Sequence, residues 1–233
     1  MTEDTAARTL LRERIYGQIL RAILDGTLEP GLRLRDDELI SWLDTSRAPI
    51  REALAQLAEL GVVEMSPNRF TKVAQVSPLL YAQSAAVWAT LVTRAMHWGI
   101  LAFPADELAT LESLNAELDE VDPADFPPGP TVIDRFVGQI VKHCSNVVLL
   151  DSIRIHDALL QLGVNSYKGF MKSEPIHAYF TELIRRCRDH DVTGFEAGMR
   201  VFLAGPMHDF VEEMTVYYGY EKYEGSYGAR PAE

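Results

Sequence analysis

The sequence predicts a mainly α protein in two parts, an N-terminal winged helix-turn-helix over residues 1–76 and a C-terminal all-α helical bundle over 77–216, followed by a Tyr- and Gly-rich tail at 217–233. Three observations carry this expectation. Apolar side chains recur at helical spacing in three successive stretches of the first 60 residues; the pattern then switches to alternation across a turn; and beyond Val76 no strand signal returns.

The first helix is expected at about 8–25, where Leu11, Ile15, Ile19 and Ile23 mark one buried face and Gly26 ends it. Pro30-Gly31 then makes a tight connection into a short extended piece, Leu32-Arg33-Leu34. A second helix covers about 36–43. Asp44-Thr45-Ser46 supplies the turn and the cap for a third at about 47–60, whose stripe is Ile50, Leu54 and Leu57. Pro49 falls in the first turn of that helix, where a missing N–H is no loss. After Gly61, Val62-Val63-Glu64-Met65 and Phe70-Thr71-Lys72-Val73 alternate around Ser66-Pro67-Asn68-Arg69, the pattern of a β-hairpin.

Helical stretches follow near 79–101, 105–120, 131–143, 146–163, 174–189 and 192–215, with Gly205-Pro206 predicted to kink the last. The run 122–130 holds too many prolines for a helix and reads as a loop. The tail beyond 216 reads as frayed or docked on a partner.

Composition narrows the function. The chain has 233 residues and a formal charge of −12, but residues 1–76 hold ten Lys and Arg against twelve Asp and Glu, so nearly all of the acidic excess lies in the second part. That balance excludes nonspecific coating of nucleic acid while leaving a locally basic surface open. Two cysteines without CxxC spacing fit neither a zinc site nor a disulfide framework and point to a reducing, cytoplasmic setting. No apolar run approaches membrane-spanning length, so no membrane partner is expected.

The residues that bear chemistry gather on the third helix and the hairpin. Arg47 and Arg51 are four apart and project from one flank beside the buried stripe. Arginine pairs bidentately with guanine O6 and N7 and grips phosphate through the same fork. Ser46 and Ala48 flank Arg47 at the helix tip, where N–H groups and dipole favour a phosphate, and Arg35 precedes the second helix. Asn68, Arg69, Thr71 and Lys72 supply the wing. Double-stranded operator DNA is the expected partner.

No catalytic reading competes with this. The pairs His156-Asp157 and His208-Asp209 and the triplet Asp189-His190-Asp191 are sequence neighbours, which point apart on a helix, and no phosphate-binding or nucleophile-elbow motif occurs. His143-Cys144 fails on the same geometry. An enzyme is therefore not expected, and neither is a cofactor.

The run Ile19–Gly26, then Leu28-Glu29-Pro30-Gly31, and above all Ser46-Arg47-Ala48-Pro49-Ile50-Arg51-Glu52-Ala53-Leu54 resembles the GntR family of bacterial regulators over about 70 residues. The resemblance implies that Arg47, Arg51 and the wing tip contact an operator and that homodimers bind palindromes, with repression the expected outcome. One departure is Phe70, which stands where the family has a wing glycine. The later helices resemble the FadR-type C-terminal domain (the FCD subgroup), in whose metal-binding members an Asp and three His converge. The matching positions here are Ile133, Val137, Phe180 and Phe202, while Trp88 and Val92 replace an Arg and a Glu. All six are apolar, so the resemblance implies no metal. Three possibilities stay open for that place: a filled core serving only dimerisation, a pocket for a small apolar or acyl ligand, or another polar group that anchors an organic acid.

Overall fold

The computed structural model describes residues 3–67, 69–120, 131–170 and 173–220. They are mainly helical and divide into two compact units, 1–76 and 77–233.

In the first unit, helix α1 (Glu3–Leu24) buries Ile15, Ile19 and Ile23 against Ile50, Leu54 and Leu57 of α3 (Arg47–Glu59). Each of these six side chains is essentially sealed from water, at about 1.5–3 kcal/mol of transfer free energy apiece, so α1 holds α3 at a fixed tilt. Helix α2 (Asp36–Leu43) fills the gap with Leu39 and Leu43 and ends in a left-handed Asp44, whose φ of 46° turns the chain sharply into α3.

Strands β1 (Val63–Ser66) and β2 (Phe70–Val73) pair antiparallel, with Val63 opposite Val73 and Ser66 opposite Phe70. The segment after Pro30 adds a third edge: Gly31 N donates to the Val73 carbonyl at 3.0 Å, Val73 N to Leu32 O at 2.9 Å, and Leu34 N to Thr71 O at 2.8 Å. Gly31 reaches this register at a φ of +86°, a region open to glycine and strained for residues with a Cβ. Three helices and a hairpin with this third edge make the winged helix-turn-helix that the periodicity predicts.

The second unit is all helix among the described residues. Helix α4 (Pro78–Leu101) begins with Ser77, whose hydroxyl accepts from Leu80 N, and with Pro78 in the first turn. It packs against α6 (Val132–Val141), α7 (Val147–Tyr167) and α9 (Val192–Phe202), while α5 (Leu108–Asp119) lies on α6 and α8 (Ser173–Asp189). Val92, Met96 and Ile100 of α4 meet Phe136, Ile140, Phe180, Leu183, Phe195 and Met199 in one core, where the Phe136 and Phe180 rings stack at 4.0 Å. Gly99 lets α4 and α6 touch at backbone level, because a Cβ there would run into the Ile140 carbonyl.

Several boundaries differ from expectation. The stretch expected at 105–120 opens with a 3-10 turn, Ala105–Glu107, before α5. The single helix expected at 192–215 is α9, a π-helical segment at Leu203–Met207 and α10 (His208–Tyr217). Pro206 explains this, since it has no N–H to donate and a wider turn accommodates the lost bond. The tail begins later than expected: Tyr217 ends α10, and the Tyr218 ring packs edge-on against Tyr167 at 5.7 Å. The proline-rich run 122–130 and the rest of the tail, 221–233, lie outside the described residues.

Candidate functional site

Helix α3 presents its N-terminus to solvent. Ser46, Arg47, Ala48 and Arg51 are all exposed, while Ile50, one position before Arg51, is buried; the helix period therefore separates the gripping face from the anchoring one. Ser46 holds the extended backbone of an N-cap, with φ −98° and ψ 170°, but its hydroxyl makes no capping bond. The sequence expectation is corrected in that detail: the position is the cap, and the first-turn N–H groups are left for another acceptor.

Both arginines close on one carboxylate. Arg51 Nε lies 2.8 Å from Asp36 Oδ2, and Arg47 Nε lies 3.3 Å from the same oxygen. The Asp36 side chain is only 11% exposed whereas those of Arg47 and Arg51 are 72% and 51% exposed, so the acid sits beneath two guanidinium groups that face outward. Through such a link a side chain with four rotatable bonds loses much of its freedom before binding anything. Sequence reasoning missed Asp36, which lies 11 and 15 residues from its partners and shares no local spacing with them.

A groove of about 700 Å³ runs between the α3 tip and the hairpin, lined by Arg33, Arg35, Arg47, Arg51 and Arg69. Five guanidinium groups thus converge although the unit as a whole is slightly acidic, because Asp36 and Asp37 are the acids on that wall. Thr71 also lines it, and Phe70 stands at the hairpin end. Among the described residues, Arg33 and Arg69 enter no ion pair, and Arg35 reaches only Glu38, at 3.5 Å. Lys72 is turned differently: its Nζ bonds Glu64 at 2.9 Å across the hairpin and sits 5.3 Å from the Phe70 ring. The same bond is the main cause holding the Glu64 carboxyl below its usual range. Asn68 lies outside the described residues.

The second unit encloses a cavity of about 250 Å³. Trp88, Ile133 and Phe202, three of the six apolar positions singled out in the sequence, stand on its wall. Val92, Val137 and Phe180 do not; Val92 and Phe180 are buried in the core, and Val137 packs against it. The reason is the helical period: Val92 lies one turn beyond Trp88 on α4, where α6 and α9 have already closed over the helix.

The wall is mostly apolar, yet three carboxylates interrupt it: Asp134, Asp157 and Asp209. Asp134 takes part in a capping box at the start of α6, its Oδ2 accepting from Thr131 N and Thr131 Oγ1, each at 2.7 Å. Asp157 Oδ1 accepts from Trp88 Nε1 at 3.0 Å. Burial and the nearby Asp134 charge push the Asp157 carboxyl up to about 6, and burial raises Asp134 as well. Local reading could have found the Thr131-x-x-Asp134 box; the meeting of Asp134 with Asp157, from two helices, has no local signal.

Of the adjacent acid–base groups, His208 and Asp209 do meet, contrary to expectation, with His208 Nδ1 3.6 Å from Asp209 Oδ1. Both sit at the start of α10, where side chains can fold back; the other groups serve structure. Asp191 caps α9 through Gly194 N at 2.8 Å and pairs with Arg186, while His190 Nδ1 meets the Ile100 carbonyl at 2.8 Å. Asp189 pairs with Arg185 at 3.4 Å. His156 and Asp157 point apart, since Asp157 binds Trp88 and Gln161. Cys144 and Cys187 are buried, and burial pushes the Cys187 thiol up to about 12. Among the described residues, one group of side chains could gather on an ion: His208, Asp209 and Glu212, whose donor atoms lie within 4.8 Å of one another.

Fold and groove together define a winged helix-turn-helix module. Residues 11–73, within the first unit, match the family described as bacterial regulatory proteins, gntR family. An HTH-type transcriptional regulator in an unstable DNA locus of Streptomyces ambofaciens is 33% identical over 116 residues, half of this chain and 42% of that protein. The HTH-type transcriptional repressor RspR of Escherichia coli K12 is 33% identical over 67 residues, 29% of each chain. The chain thus spans less than half the length of these curated relatives. Among solved structures, Escherichia coli McbR/YncC superposes with a TM-score of 0.67 at 18% identity, over 90% of this chain and 99% of that one. A GntR-type regulator from Rhodococcus sp. RHA1 does so at 0.64 and 17%, over 90% and 99%. These two extend the likeness of fold to the helical second unit. No helix of the described residues is long and apolar enough to cross a membrane.

Proposed function

We propose that the protein is a sequence-specific transcriptional regulator, acting as a repressor in the cytoplasm, that binds a palindromic operator as a homodimer and responds to a small molecule held in its second unit. The observation that carries this is the pair Arg47 and Arg51, exposed at the uncapped tip of α3, tied to Asp36 and facing a groove with Arg69 on its far wall. A helix tip of this kind fits the major groove, with guanidinium forks on guanine edges and first-turn amides on phosphate. The names of the relatives, a regulator and a repressor, support the same reading.

A homodimer is supported by an apolar surface on α4 and α7, which pack on each other. Val87, Trp98 and Leu101 are exposed on α4, and Val148 and Ile155, seven residues apart, are exposed on α7. Two-fold pairing of such a face would buy the symmetry that a palindrome needs. Ligand control is supported by the cavity, which a domain used only for dimerisation would have no reason to keep. Its aromatic wall suits the apolar half of the expected ligand; its three aspartates do not suit an acyl carboxylate.

Selection of bound duplexes from a random library tests the DNA reading, and sedimentation tests the dimer. The expected results are enrichment of an inverted repeat and a dimer that Val148→Asp with Leu101→Asp splits. Absence of any enriched sequence would contradict the first, and a monomer at micromolar concentration the second.

A further inference from the structure

Among the described residues the cavity wall carries the carboxylates Asp134, Asp157 and Asp209 and no Lys, Arg or His, and Asp209 already has His208 Nδ1 at 3.6 Å from its Oδ1. Asp134 Oδ2 is taken by Thr131, and among the described residues no cation pairs with this carboxylate. Asp157 has one good donor, Trp88 Nε1, and one long bond from Gln161 Nε2 at 3.4 Å. Partly buried carboxylates beside one another, without a cation among the described residues, favour a positive guest.

The remaining wall is built for the rest of such a guest. Tyr81, Trp88, Phe170, Phe202 and Phe210 put aromatic rings around a space of about 250 Å³. Aromatic faces attract ammonium groups and accept apolar bodies equally well. A carboxylate guest, by contrast, would bring a further negative charge against Asp134 and Asp157, and among the described residues no Lys, Arg or His lines the wall to meet it.

We propose that this cavity binds a small organic cation, a protonated amine whose ammonium group sits between Asp134 and Asp157 and whose apolar body lies against Trp88, Phe202 and Phe210. The proposal rests on reading the second unit as an effector domain and assigns the chemical class of that effector. Donation of N–H groups from the ammonium to the Asp134 and Asp157 carboxylates gives each a charge-assisted hydrogen bond.

Calorimetric titration of the full chain at pH 8 tests it with three probes of equal shape: 2-phenylethylammonium, neutral 2-phenylethanol and anionic 3-phenylpropanoate. The expected result is saturable binding of the ammonium compound at least tenfold tighter than either of the others, weakened at least tenfold in Asp157→Asn. Phe202→Ala, which keeps both carboxylates, should weaken the ammonium compound and leave the preference over the anion intact. Tighter binding of the alcohol or the anion would overturn the cation assignment while leaving an effector domain in place. Binding of none of the three below 1 mM would overturn both. Stabilisation by zinc alone, lost in His208→Ala, would replace the amine with a metal ion at His208, Asp209 and Glu212. Unchanged ammonium binding in Asp157→Asn would also overturn the proposal.

Discussion

Arg51 Nε rests 2.8 Å from Asp36 Oδ2, and Arg47 shares that oxygen at 3.3 Å. One carboxylate at the start of α2 therefore sets the direction of both arginines of α3. The arrangement fixes side chains that must find two base edges at once, and it places a negative charge where phosphates would approach. Asp36→Asn should then reduce the ratio of specific to random-duplex affinity by about tenfold, roughly 1.4 kcal/mol, chiefly by raising random binding. Competition titrations at fixed salt measure the ratio; an unchanged value would show that Asp36 does not organise the arginines.

Arg69, exposed on the hairpin and outside any ion pair among the described residues, is placed to meet backbone phosphate. Arg69→Ala should weaken all duplexes alike and lower the slope of log K against log salt by about one. A loss confined to one sequence would instead make it a base reader.

How far the sequence could be read depends on the range of the interaction. The three helices and the hairpin of the first unit were legible because each follows a local period, Ile15, Ile19 and Ile23 on α1 or Val63 opposite Val73 across the turn. Arg47 and Arg51 were legible by their four-residue spacing. Asp36 was not, since its role exists only once α2 and α3 are side by side. In the second unit, Trp88 and Val92 were singled out by the resemblance alone, which could not say where neighbouring helices close over α4. Trp88 reaches the cavity, and Val92 is sealed one turn deeper. Two apolar positions, Ile133 and Phe202, do reach it, while the aspartates that give the cavity its charge come from α6, α7 and α10 and have no common sequence period.

The raised Asp157 carboxyl gives stability a pH dependence of defined sign. A carboxyl with a folded pKa above its unfolded one favours the fold fully below the unfolded value, and that benefit is lost as pH rises through the folded value. For Asp157 the window runs from its ordinary 3.8 to about 6. The groups sharing its cavity wall are Asp134 on α6, Tyr81 and Trp88 on α4, Asp209 on α10 and Gln161 on α7. Asp157→Asn should raise Tm at pH 8 by about 5 °C and change it far less at pH 4, as calorimetry would show. A Tm gain equal at both pH values would mean that the carboxylate charge is not the cause.

Gly99→Ala should destabilise the second unit by about 1–3 kcal/mol, because the added methyl has to displace the Ile140 carbonyl and part α4 from α6. Urea unfolding measures it. Stability equal to wild type would mean that the two helices can separate at no cost.

The central claim is that α3 reads DNA through Arg47 and Arg51. Its most direct test is fluorescence anisotropy of a duplex enriched by the wild-type protein, titrated at one salt concentration with wild type, Arg51→Ala and the Arg47→Ala, Arg51→Ala double variant. Arg51→Ala should lose about 1–3 kcal/mol, roughly 5- to 150-fold in Kd, and the double variant should bind that duplex no better than a random one. A double variant that stays folded and still holds the enriched duplex as tightly as wild type would contradict the account.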